Sequence, residues 1–179
     1  MTKPINLYMQ SRIHDESSFN RVEQHTSKRK DNGKTKKHEI ESLKKIVDDF
    51  FACGVNIEMM DGFFFGYHIP QIGKEFDLLK FTDTESLNIE FKSQAVPEDQ
   101  MLTQLQRNNH YLAHLGKKNF LFTIVTDTMI CYKLTDEGTL ARIGLYEIIT
   151  KVKDFASGYQ TDIDNMFRAS EFLVSPLNT

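Results

Sequence analysis

The chain has 179 residues, enough for one domain with extensions. Its 40% hydrophobic content supports a sizeable core and excludes a chain that stays unfolded for want of apolar surface. The net charge of −3 excludes a uniformly basic nucleic-acid binder, so where the charges sit matters more than their total.

Fourteen Phe and no Trp point to a Phe-rich interior. No run approaches the roughly 18 apolar residues that begin to read as a membrane helix. Met1 to Asn6 lacks the apolar stretch of a signal peptide. Cys53 and Cys131 fall in apolar surroundings and match no metal-site spacing. They read as buried hydrophobes of a reduced, cytoplasmic protein without a membrane partner.

Residues 1–34 read as a polar extension, expected to be partly mobile. Ile5, Leu7 and Met9 alternate and predict a short edge strand. Lys28, Arg29, Lys30, Lys34, Lys36 and Lys37 form a basic run, read either as a solvated segment or as a phosphate-contacting arm. A core is expected over 35–155. Ile40, Leu43, Ile46, Val47, Phe50 and Phe51 recur at helical spacing and predict a helix over 35–53, closed by Gly54. Val55–Met60 reads as a strand, Asp61-Gly62 as a turn and Phe63–Ile69 as a second strand. Glu75–Phe81 and Leu87–Lys92 read as a hairpin around the polar segment 82–86. In strand geometry Glu90 and Lys92 share a face, with Ile89 and Phe91 on the other. Pairing of the two strands lets Asp77 and Glu90 converge.

Pro97-Glu98 opens a helix that Gly116 closes. On it, Gln104, Asn108 and Tyr111 share a face at i, i+4 and i+7. Phe120–Val125 follows as a strand parallel to Leu87–Lys92 across that helix. Met129–Leu134 and Thr139–Ile143 are further strands and Leu145–Asp154 a helix. Residues 156–179 form a helical extension, with an amphipathic segment over Ile163–Leu173. The fold class is α/β, a mixed sheet flanked by helices. His38, His68, His110 and His114 show no metalloprotease-like spacing, and no Ser/His/Asp or Cys/His set finds support.

Asp77 followed by Glu90-Phe91-Lys92 resembles the PD-(D/E)xK, or restriction-endonuclease-like, nuclease superfamily. Phe76 stands where the motif's Pro would be. More weakly, the chain is similar to the nuclease region of bacterial nuclease-helicase polypeptides, although it contains no P-loop. The resemblance implies a restriction-endonuclease-like mixed sheet. It also implies Mg²⁺, with Mn²⁺ as a substitute, held by Asp77, Glu90 and the Phe91 carbonyl, with Lys92 orienting the attacking water or stabilising developing charge.

Many members add an acid from the first helix. At about 100° per residue, Glu39 lies about 60° from the centre of the apolar stripe and Glu41 about 140° away, which selects Glu39. A subset carries Gln-x-x-x-Tyr after the ExK strand. Here Gln104 and Tyr111 are seven apart, but Gln104 still suits a catalytic role. Tyr111, Asn108, Arg107, Lys36 and Lys37 are the candidate nucleic-acid contacts. The expected function is metal-dependent hydrolysis of DNA phosphodiesters, in defence against foreign DNA or in repair, with a helicase module or another protein as partner. The alternative is a catalytically inactive module on the same fold that binds nucleic acid or protein. A small-molecule enzyme using the same carboxylates is a third, weaker reading.

Overall fold

The computed structural model describes residues 2–13, 37–69 and 72–168. The basic run up to Lys36, the turn at 31–34 and the chain beyond Arg168 lie outside the described residues. Within them the elements are α1 (Leu7–Ser11), α2 (Lys37–Ala52), β1 (Phe64–His68), β2 (Glu75–Phe81), β3 (Glu85–Lys92), α3 (Glu98–Ala113), β4 (Lys118–Val125), β5 (Ile130–Leu134), β6 (Leu140–Ile143), α4 (Leu145–Asp154) and α5 (Ile163–Arg168). The six strands form one sheet in sequence order. Every neighbouring pair is antiparallel except β3 and β4, which run parallel across α3. The expected α/β architecture, a mixed sheet flanked by helices, is therefore the architecture found.

Two apolar layers cover the sheet. On one face Leu87, Ile89 and Phe91 of β3 pack with Ile40, Leu43, Val47 and Phe50 of α2 and with Ile148 and Val152 of α4. On the other, Phe64, Phe76, Leu79 and Phe81 pack with Leu105 and Leu112 of α3 and with Phe167 of α5. Each such side chain taken from water contributes about 1.5–3 kcal/mol, so the Phe-rich composition translates directly into both layers. Among the described residues no helix is long and apolar enough to cross a membrane.

Three expectations fail. Ile5–Met9 is not a strand: Ile5 makes a single bridge to Phe63, and α1 starts at Leu7. Asn6 is the reason, because its side chain accepts the Met9 N–H and caps the helix. Val55–Met60 is a loop ending in a single helical turn at Glu58–Met60, with the Asn56 side chain accepting the Met59 N–H. Cys53 is exposed, whereas Cys131 is buried as expected.

Lys80 was not singled out in the sequence, yet its side chain is fully buried. Its ammonium lies 5.0 Å from the Phe63 ring centroid and 4.7 Å from that of Tyr159. Burial lowers it from the ordinary 10.5 to about 8, against the pull of Asp61.

Candidate active site

The site forms where the β2–β3 ladder stops. Its last pair is Leu78 with Ile89; extending the register one step would set Asp77 opposite Glu90. There the two carboxylates clasp the opposite backbones instead. The Asp77 N–H donates to Glu90 Oε2 at 2.7 Å, and the Phe91 N–H donates to Asp77 Oδ2 at 3.0 Å. Side-chain oxygens thus accept the backbone N–H groups, and the strands are held together by the acids themselves.

Asp77 is positioned by a kink. Residues two apart on a strand normally share a face. Phe65 nevertheless packs in one layer and Tyr67 in the other, and so do Leu78 and Phe76 opposite them. Between these pairs stand Gly66 and Asp77. Gly66 has φ +63°, a left-handed value that a side chain resists. The face switch lifts Asp77 out of the ordinary pleat and turns it towards β3.

Glu90 is 1% exposed and sits in a cage of amides. Oε1 accepts from Gln104 Nε2 at 3.0 Å and from Asn108 Nδ2 at 3.1 Å. Oε2 accepts from the Asp77 N–H and from Asn88 Nδ2 at 3.4 Å. These donors match the four lone-pair positions of a carboxylate. Asn108 also donates to Asn88 Oδ1 at 2.7 Å, and Asn88 donates to the Leu78 carbonyl at 3.0 Å. Gln104 Oε1 and Asn108 Oδ1 are buried acceptors with no partner.

Asp77 is held well above the usual carboxylate range, chiefly by burial and then by the neighbouring Glu90 charge. The Phe91 N–H and Lys92 oppose that shift, and Glu39 adds to it. Asp77 and Glu39 line one cavity of about 290 Å³, together with His38, Phe91, Lys92 and Gln104. Helix α2 reaches this cavity because Ser42 Oγ lies 3.0 Å from Thr126 Oγ1, and Thr126 in turn donates its N–H to the Lys92 carbonyl at 2.8 Å.

The structure therefore brings Glu39, Asp77, Phe91, Lys92 and Gln104 around one cavity, with Glu90 and Asn108 immediately behind it. Glu41 is exposed, as the helical-wheel argument requires. Arg107 faces an adjoining cavity that shares Lys92 and Gln104 with the first. Tyr111 does not join the site: it is 6% exposed and belongs to the apolar layer with Leu105 and Leu112. Lys37 is exposed at the first position of α2, and Lys36 lies outside the described residues. Asn88 was missed. Its signal was the strand period of two, which sets it on the face of Glu90. Lys74 was missed too, because a lone lysine after a glycine carries no pattern.

The donor set suits a hard cation. Asp77 and Glu39 offer carboxylate oxygens to one cavity, and Gln104 brings an unpartnered amide oxygen. Glu90 fits less simply, since its oxygens already accept four donors and it does not line the cavity. Among the described residues no three His, Cys, Asp or Glu side chains form a ready-made metal cluster. Comparison with family models, curated proteins and solved structures finds no match to the chain.

Proposed function

We propose that the chain is a metal-dependent nuclease of the PD-(D/E)xK type that hydrolyses DNA phosphodiesters. The observation that carries this reading is the open end of the β2–β3 ladder. Two carboxylates face each other there, with Lys92 one residue past the clasp and Gln104 reaching in from α3. Mg²⁺ would be held by Asp77 and Glu39, with Glu90 behind them as a fixed negative charge or as a ligand after releasing one amide. Bound there, the cation would polarise the scissile phosphate and ease formation of hydroxide.

The chain's own residues do the rest. Lys92 places a positive charge at the cavity wall, where the transition state gains negative charge. Gln104 spans both sides, since its amide holds Glu90 while the rest of its side chain lines the cavity. The Asn88–Asn108 pair keeps Glu90 from turning away. Defence against foreign DNA, repair and a helicase partner remain part of the proposal through the resemblance alone.

The test is cleavage of plasmid and linear DNA with Mg²⁺ or Mn²⁺. Wild type is expected to cut. Asp77→Ala and Lys92→Ala are each expected to lose about a hundredfold or more in rate, the scale of one removed transition-state contact. No cutting and no cation binding in calorimetry would defeat the reading.

The saturated cage around Glu90 favours a second reading, a module on this fold that binds nucleic acid or protein without hydrolysis. Cation binding separates the two, because an inactive module has no need of it.

A further inference from the structure

Beside the carboxylate cavity lies a larger one of about 480 Å³. One wall is a single face of α3: Gln100, Thr103, Gln104 and Arg107 recur at i, i+3, i+4 and i+7. Lys74, just before β2, and Lys92, at the end of β3, supply the other. Asp99 is the one acid among the described residues lining it.

Lys74, Lys92 and Arg107 make no ion pair among the described residues. Burial holds Lys74 below the usual lysine range, against the pull of Glu90 and then Asp77, with smaller downward pushes from Lys92 and Arg107. Three cations thus line one cavity without a direct ion pair, which leaves their N–H groups available to an anion.

The polar lining matches phosphate. It offers two ammoniums, a guanidinium fork and two amides able to donate to phosphate oxygens, while the Thr103 hydroxyl already donates to the Asp99 carbonyl. The volume lies within the roughly 300–1,000 Å³ of small-ligand pockets, so a sugar can enter with the phosphate. Among the described residues Val96 is the sole aliphatic wall and no aromatic ring lines the cavity, so none of them offers a base a stacking partner.

We propose that this cavity is a phosphate seat, gripped by Lys74 and Arg107 and open to Lys92, for a phosphate of a nucleic-acid strand or of a free nucleotide. The seat does not require hydrolysis and stands or falls independently of the nuclease reading.

The test uses the full chain in EDTA, so that cleavage does not enter. A labelled single-stranded oligonucleotide is titrated by fluorescence anisotropy, and inorganic phosphate by calorimetry. Lys74→Gln and Arg107→Gln are compared with wild type and with Lys153→Gln, an exposed lysine on α4, which packs on the other side of the sheet. Each cavity variant is expected to weaken strand binding about tenfold, the scale of one charge-assisted contact. Each should also reduce the slope of log affinity against log salt by about 0.7. The α4 variant should bind like wild type. Phosphate binding lost in the cavity variants, without strand binding, supports the seat and names a free phosphate or nucleotide as its ligand. Unchanged binding in both cavity variants, or no binding of either probe by wild type, overturns it. DNA cleavage with Mg²⁺ by a wild type that binds neither probe in EDTA, or whose binding both cavity variants keep, would overturn the seat and leave the nuclease reading intact. Binding without cleavage would do the reverse.

Discussion

Glu90 shows how much one buried charge demands of its surroundings. An unpaired carboxylate with 1% exposure would be prohibitively costly. Here four donors surround it, and Asn108 serves two acceptors, Asn88 Oδ1 and Glu90 Oε1. Asn108→Ala is expected to destabilise the fold by about 1–3 kcal/mol, because both acceptors lose a buried donor at once. Urea denaturation would measure it, and an unchanged midpoint would show that the cage is dispensable. Lys80 makes the opposite case, a buried cation with two rings and a carbonyl for company. Its folded value of about 8 lies below the ordinary 10.5, so between those values the unfolded chain holds more protons than the folded one. Stability from this group therefore rises with pH above about 8. The whole penalty for burying the charge is present below that. Lys80→Met, which keeps the apolar stem and removes the titration, should abolish this rise. Between neutral pH and about pH 10 the wild-type urea midpoint should gain on that of Lys80→Met; parallel curves would refute the assignment.

At the scale of elements, the face switch at Gly66 and Asp77 links strand geometry to the site. Gly66→Ala forces a side chain into a left-handed conformation, expected to cost about 1–2 kcal/mol. Because Asp77 lies between the same pairs of the ladder, the substitution should also lower DNA cleavage more than it lowers stability. A Gly66→Ala protein that melts lower but cuts at the wild-type rate would separate the kink from the site. Strands and helices with strong periodicity, α2 through Phe50 and β3 through Leu87, Ile89 and Phe91, were legible, and with them the shared face of Glu90 and Lys92. Short elements governed by one polar side chain were not. Asn6 turns an alternating stretch into α1, and Asn56 helps close the loop where a strand was expected. Tyr111 was misplaced because helical spacing puts it near Gln104 without saying how deeply it sits. Near the C-terminal end of α3 that face turns into the apolar layer that also holds Leu79 and Phe81, and is buried.

For the molecule as a whole, the sheet and its two helical layers bring α2 and α3 from opposite faces to the same end of β3. The acids meet there because the layers are held apart by a rigid core, not because they attract one another. Asp77 beside Glu90 is a repulsive arrangement in the metal-free protein, with Glu39 adding to it. Such an arrangement should weaken the fold that carries it, and the proposed cation would relieve it. Asp77→Asn keeps an oxygen to accept the Phe91 N–H and removes one negative charge. It is expected to leave the metal-free protein as stable as wild type or more so. A divalent cation that binds only the folded protein stabilises it by mass action, about 2.7 kcal/mol at a hundred times its dissociation constant. Thermal melts across a Mg²⁺ series should therefore rise for wild type and stay flat for Asp77→Asn, with Glu39→Gln reduced in the same direction. Wild-type melts indifferent to Mg²⁺ and Mn²⁺ would mean that the carboxylates meet for structural reasons alone. In that case the amide cage around Glu90, and not a cation, is what reconciles the two charges.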